Sequence, residues 1–299
     1  MVMRRRRPSD ASQGKAEVLV EALPWINEWA GSTFVVKYGG SAMEDAMLRA
    51  KVIEDVLLLK LMGVHVVLVH GGGKDISSLS ERLNLSVRFK DGLRVTDEDT
   101  MEVVQMVLVG KVNAELVQAI NGYGNHAVGI SGADGRTLRA CQLDPELGRV
   151  GRVTEVNPDL ALKVLDDGYI PVIAGVGFGE DGGPYNVNAD FAASHIAQAL
   201  GADKLFFLTD VDGLYADFDD KDSLIAGMGV GEARHLIDAG TLSKGMIPKV
   251  RSAIEAIEAG VGQVTILNGT VEHALLVETF TDEGIGTEIS NDSRNPKEA

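Results

Sequence analysis

A chain of 299 residues with 45% hydrophobic content can bury a large core without staples, and its single cysteine, Cys141, excludes an intramolecular disulfide and fits a reducing cytosol. The 44 acidic against 28 basic residues give a net charge of −16, a field that repels nucleic acid and anionic membrane, so local groups must hold any anionic ligand. No apolar stretch is expected to approach the ~20 residues of a membrane span, and Arg4–Arg7 lack the apolar segment of a secretory signal, so residues 1–13 are expected to be a solvated tail and the location cytoplasmic.

Ala16–Trp29 places Val18, Ala22, Trp25 and Trp29 at helical spacing, with a kink expected at Pro24. Two readings stay open for it: an arm packed on another subunit, or a helix packed on its own domain. Thr33–Tyr38 (TFVVKY) reads as the first strand, stopped by Gly39-Gly40-Ser41. Asp45–Leu61 reads as a helix with Leu48, Val52, Val56 and Leu59 on one face. Val64–Gly73 (VHVVLVHGGG) is a β-branched run that ends in three glycines, the pattern of a buried parallel strand, and apolar residues at 76, 79 and 83 predict a helix after it. Three consecutive glycines weaken any strand or helix. They suit a loop in which backbone N–H groups converge on an anion at a helix N-terminus, although a tight turn alone has the same spelling.

The polar SVRFKDGLRVT that follows predicts a hairpin or loop pair turning at Asp91-Gly92, and Thr96-Asp-Glu-Asp99 resembles a capping box opening a long apolar helix to about Ile120. More than one face of that helix carries apolar residues, which suits a subunit contact. Ala127–Ile130 predicts a short strand, Leu138–Val153 a hairpin-like segment, Pro158–Asp166 a helix, and Ile170–Ala174 a buried strand ending in a glycine loop, GVGFGEDGG. Asn186–Leu200 predicts a helix, Lys204–Thr209 a strand and Gly231–Ala239 a helix; a loop SKGMIPK leads to a helix over Val250–Ala259, with strands at Gln263–Leu267 and near Gly286–Ser290. Repeated βα units imply an α/β fold, a three-layer αβα sandwich around a mostly parallel open sheet, with ligands at the C-terminal edge of the strands.

No G-x-x-x-x-G-K-[ST] or G-x-G-x-x-G motif occurs, which argues against a P-loop enzyme and a Rossmann dehydrogenase. None of the six histidines pairs with another at metal-ligand spacing, so no metal site is expected and each histidine reads as structural or superficial. What remains is lysine and glycine at strand ends. Lys37 sits inside an apolar strand beside Gly39-Gly40, and Lys249 follows Gly245-Met-Ile-Pro at a helix start. Either alone reads as a lysine that reaches the surface; two beside glycine loops fit a polyphosphate.

VVKYGG, VHGGG, GLRVT, YNVNAD, LTDVDGL and GMIPK, in this order, resemble the amino acid kinase family in its acetylglutamate kinase group, over essentially residues 14–290. The resemblance implies transfer of the ATP γ-phosphoryl to the side-chain carboxylate of N-acetyl-L-glutamate, with Mg2+ arriving on ATP and no prosthetic group. It makes Lys37 and Lys249 the stabilisers of the transferring group, oriented by Asp190. Gly72 and Gly73 would supply N–H donors and contact acetylglutamate, Arg94 would clamp its α-carboxylate, and Asn186 would hydrogen-bond its amide or carboxylate end. Gly39, Gly40, Asp210, Gly245 and Met246 would hold the nucleotide. Taken singly, Arg94 also reads as a loop salt bridge, Asn186 and Asp190 as helix caps, and Asp210 as a strand end.

The same resemblance implies L-arginine as an inhibitor, bound by Trp25, His273, Glu278 and Gly284, and a homohexamer whose dimers are linked by the helical arm, residues 14–30. It divides the single domain 31–299 into an acetylglutamate-binding and dimerising lobe (31–175) and an ATP-binding lobe (176–299). Glutamate 5-kinase is the alternative enzyme reading, and an arginine sensor without catalysis the alternative of another class.

Overall fold

The computed structural model describes residues 10–43, 45–217, 220–243 and 245–291. In chain order the strands are β1 (Thr33–Tyr38), β2 (His65–His70), β3 (Phe89–Lys90), β4 (Leu93–Arg94), β5 (Ala127–Ser131), β6 (Leu138–Gln142) and β7 (Val150–Val156). β8 (Ile170–Ala174), β9 (Val176–Gly179), β10 (Pro184–Val187), β11 (Lys204–Thr209), β12 (Gly227–Gly229), β13 (Gln263–Asn268) and β14 (Thr287–Ser290) complete them. The helices are α1 (Asp10–Glu21), α2 (Leu23–Trp29), α3 (Ala46–Leu61), α4 (Gly73–Arg82), α5 (Glu98–Gln105) and α6 (Ala114–Asn121). They continue with α7 (Asp159–Asp166), α8 (Ala189–Leu200), α9 (Val230–Asp238), α10 (Ile247–Glu258) and α11 (Ala274–Phe280).

One eight-stranded sheet runs in the order β12-β14-β13-β11-β1-β2-β8-β5. Its six central and far strands are mutually parallel, while β14 runs antiparallel to β13 and carries β12 with it. Alternation along the central strand builds the two cores. Phe34, Val36 and Tyr38 pack with α3, α5 and α11 residues on one face, and Val35 packs with α8 and α10 residues on the other. Lys37, in phase with Val35, therefore emerges on the α8–α10 face, 8% exposed. The fold is the αβα sandwich that the βα periodicity implied.

Several elements differ from expectation for local reasons. The expected break in the first helix falls at Ala22, with Pro24 in the first turn of α2, where its missing N–H costs nothing. α1 begins at Asp10, inside the segment expected to be tail; Arg4–Arg7 lie outside the described residues. Asp97, not Thr96, caps α5 by accepting the Thr100 N–H, while the Thr96 hydroxyl donates to the Arg94 carbonyl. The long helix is interrupted by a π-helical segment, Met106–Asn113. As one run, Glu98–Asn121 spans 24 residues and is apolar enough to cross a membrane by length and composition, longer than any stretch the sequence led us to expect. Its Met101, Val104, Leu108, Val112 and Leu116 are instead buried in the sheet's core.

The glycine-rich GVGFGEDGG is a hairpin rather than a loop. β9 and β10 pair antiparallel and close with β6 and β7 into a four-stranded barrel beside the main sheet. Glycines make that closure possible, since a Cβ on Gly177 would lie 2.9 Å from Ala140 Cβ. β10 then feeds directly into α8.

Candidate active site

Four chain segments meet at the C-terminal edge of the sheet around a cleft of about 240 Å³, bordered by both glycine loops, β4, β10 and the start of α8. The loop after β1 supplies Gly39 and Gly40, and the loop after β2 supplies Gly71, Gly72 and Gly73. Gly40 has φ +76°, a left-handed conformation, and a Cβ there would lie 2.5 Å from Asp210 Oδ1. A Cβ on Gly72 would lie 2.8 Å from Leu108 Cδ2 of the π segment. The left-handed backbone favours glycine at Gly40, a Cβ on Gly72 would displace the Leu108 side chain, and glycine at both positions leaves main chain bordering the cleft.

On the cleft wall, Asp190 holds two lysines. Lys37 Nζ stands 3.0 Å from Asp190 Oδ1 and Lys249 Nζ 2.5 Å from Oδ2. Asn188 caps α8 by accepting the Asp190 and Phe191 N–H groups, which fixes Asp190 in the first turn, where the helix dipole also favours an anion. Burial alone would raise the Asp190 carboxyl, but the two ammonium groups outweigh it and hold its pKa below the usual carboxylate range. Burial pulls Lys249 below the ordinary lysine value, against the attraction of Asp190. Two cations thus share one carboxylate.

Arg94 in β4 also borders the cleft, 8% exposed, its guanidinium 4.8 Å from the Phe89 ring centroid. Arg94 Nη2 donates to the Gly73 carbonyl at 2.6 Å and to Ser77 Oγ at 2.8 Å. Nη1 is buried with no hydrogen-bond partner among the described residues. A buried unpartnered guanidinium nitrogen bordering a cleft is a ready donor for a carboxylate. Asn186 Nδ2 donates to Thr96 Oγ1 at 3.1 Å, which ties β10 to the Arg94 segment.

Thus Lys37, Gly39, Gly40, Gly72, Gly73, Arg94, Asn186 and Asp190 all border one cleft, with Lys249 joined through Asp190. Two local alternatives fall away. Asn186 lies in β10 and caps no helix, and Arg94 makes contacts to a backbone carbonyl and a hydroxyl rather than to a carboxylate. Asp210 follows β11 beside Gly40, and its charge acts on Lys249. Met246 is buried in the core cluster of α8 and α10, and Gly245 precedes it in an open turn.

A profile of the amino acid kinase family matches residues 32–268. The chain belongs to the amino acid kinase family. Curated relatives place this amino acid kinase in the acetylglutamate kinase group: the enzyme of Caldanaerobacter subterraneus subsp. tengcongensis is 52% identical over 280 residues, 93% of this chain and 94% of its own. That of Aquifex aeolicus is 48% identical over 293 residues, 92% of this chain and 97% of its own. Among solved structures, the N-acetylglutamate synthase of Neisseria gonorrhoeae complexed with coenzyme A and N-acetyl-glutamate superposes with a TM-score of 0.82 at 29% identity, over 93% of this chain and 63% of that longer one. Giardia lamblia carbamate kinase bound to AMP-PNP shares the fold, with a TM-score of 0.64 at 20% identity over 88% of this chain and 99% of that one.

In this amino acid kinase the arginine candidates lie apart from the cleft. Glu278 in α11 accepts the N–H groups of Ile285 and Gly286 at 2.7 and 2.9 Å, closing the loop that holds Gly284 at φ +60°. His273, also left-handed at φ +57°, stands before α11 with Nδ1 2.5 Å from Asp55 Oδ1. Trp25 is half-buried on α2, which packs beside α11.

Sequence reasoning missed His70, Asn113, Thr96 and Ser77. Only His70 carried a signal, since an imidazole closing a buried strand directly before three glycines needs partners for both nitrogens.

Proposed function

We propose that the cleft transfers the γ-phosphoryl group of ATP to the side-chain carboxylate of N-acetyl-L-glutamate, giving N-acetyl-L-glutamyl 5-phosphate and ADP, the second step of arginine biosynthesis. The observation that carries this reading is the convergence of basic groups on one cleft. Arg94, with a nitrogen unpartnered among the described residues, borders it together with glycine main chain and with Lys37 and Asp190, which Lys249 joins. A dicarboxylate laid along it puts one carboxylate on Arg94 and the other at the lysines.

The acceptor needs no general base, because a carboxylate of pKa ~4.3 is ionised at neutral pH. The residues' work is positioning and charge stabilisation. Arg94 holds the α-carboxylate, Asn186 the amide end, and the Gly72 and Gly73 region the reacting oxygens. Lys37 and Lys249 offset charge on the transferring group. Asp190 keeps the two ammonium groups apart and aimed. Gly39 and Gly40, with Asp210 nearby, form the nucleotide side. Magnesium enters as part of the nucleotide substrate, offsetting phosphate charge. An ADP-release assay with ATP tests the reading: turnover on N-acetyl-L-glutamate is expected, and turnover on free glutamate without turnover on the acetylated substrate would sink it.

We also infer that L-arginine inhibits the enzyme by binding near Glu278, His273 and Gly284 beside α2, where Trp25 lies, and that the arm links dimers into a hexamer. The carboxylate at Glu278 and the exposed Val18, Leu19, Val20 and Leu23 of the arm support these readings. A rate unchanged by millimolar L-arginine would remove the regulatory one.

A further inference from the structure

His70 closes β2 on the face opposite Lys37 and directly precedes the three glycines. It is fully buried from solvent, and burial pushes its imidazole down to about 4, so it is neutral at working pH. Its two nitrogens are both committed. Nδ1 lies 2.9 Å from the Gly71 carbonyl oxygen, which can only accept, so Nδ1 carries the proton. Nε2 lies 3.1 Å from Asn113 Nδ2, which also donates to the Val172 carbonyl at 2.8 Å, so Nε2 is the acceptor. With neither nitrogen left for a substrate, His70 acts through what it holds.

What it holds is one peptide plane of the glycine loop. The described chain has no cis peptide bond, so the Gly71 carbonyl and the Gly72 N–H point in opposite directions within their shared plane. Fixing the carbonyl on the imidazole turns the Gly72 N–H the other way, and Gly72 borders the cleft. We propose that His70 is a positioning residue for phosphoryl transfer, its Nδ1–H locking the Gly71 carbonyl so that the Gly72 N–H points at the reacting oxygens. The proposal rests on the reaction assigned above.

The support behind His70 is the π segment. A π turn carries one more residue than an α turn and displaces side chains that would otherwise follow the helix face. Here it sets Leu108 and Val112 against Gly72 and Asn113 against His70. Gly129 on β5 leaves the room, since a Cβ there would collide with Asn113 Oδ1.

Three variants separate the role from mere packing. In His70→Asn the carboxamide N–H can replace Nδ1–H; His70→Gln places its amide nearer the Nε2 position; His70→Phe has no donor. We expect kcat to fall roughly 10- to 100-fold in the Gln and Phe variants with KM for ATP unchanged, as for a misaimed group, and to recover most of the way in the Asn variant. Equal kcat in all three, whether low or unchanged, overturns the proposal even if melting temperatures differ. Should the variants not fold, neutron diffraction from the parent protein decides, with a deuteron expected on Nδ1 and not on Nε2; the reverse, or both, overturns it. A parent inactive on acetylglutamate would refute the reaction, whereas an active parent matched by His70→Phe refutes only the role of His70.

Discussion

Asp190 is the residue on which the proposed chemistry turns. Its side chain is 14% exposed and carries Lys37 and Lys249 on separate oxygens. Asp190→Asn leaves two neighbouring cations without their anion, so we expect a stability loss of about 3 kcal/mol, measured by denaturant unfolding, and a fall in kcat of at least ~100-fold. The pH dependence follows from the same pair. A carboxyl whose folded pKa is depressed contributes stability above its unfolded value of about 3.9, and that contribution is lost as pH falls through the lower folded value. Lys249 is shifted down, so its charge leaves earlier than a free lysine's as pH rises. The alkaline limb of kcat should therefore fall below the lysine reference of about 10.4 and move upward in Lys249→Arg, whose charge persists. An unmoved limb would assign it to another group. Arg94→Lys loses the planar fork and should raise KM for acetylglutamate roughly 10- to 100-fold with kcat less affected, measured by initial rates.

The elements that place these residues are strand ends and helix starts: β1 delivers Lys37, β2 the glycine loop, β4 Arg94, and α8 and α10 the first-turn Asp190 and Lys249. Gly129→Ala probes the π segment, because its Cβ would collide with Asn113. We expect a loss of about 1–3 kcal/mol by thermal or denaturant unfolding, and a shift of Asn113 that lowers kcat as well. Much of this framework is legible in the sequence. β1, β8 and β11 match their apolar runs residue for residue, because β-branched runs bounded by glycine or polar turns leave few alternatives. The π segment was not legible, since its apolar spacing is that of an α-helix and the extra residue per turn is paid for by tertiary contacts with Gly72 and His70. The β9–β10 hairpin was hidden because glycines needed for close strand approach spell a loop when read alone. The lysine and glycine residues announced an anion site; the unpartnered Arg94 nitrogen and the double use of Asp190 required the fold, since residues 37, 94, 190 and 249 are far apart in the chain.

At the scale of the molecule, a net charge of −16 surrounds a cleft whose own charged groups are predominantly basic. In the proposed reaction, selectivity for anionic substrates is therefore local, held by fixed side chains and main-chain N–H groups. The arm exposes four large apolar side chains in succession, Val18, Leu19, Val20 and Leu23, and none of its described residues borders the cleft. Removing residues 1–22, which spares the Trp29–Phe34 contact at 5.3 Å, should reduce the assembly size in sedimentation while leaving kcat near the parent value. An unchanged size would refute the arm's role in assembly. The transfer itself is tested most directly by trapping its product with hydroxylamine, which converts an acyl phosphate to a hydroxamate. With ATP and N-acetyl-L-glutamate we expect hydroxamate to form in step with ADP, and to fall by orders of magnitude in Lys37→Ala. ADP release without hydroxamate would place the phosphoryl group elsewhere than on the carboxylate and contradict the account.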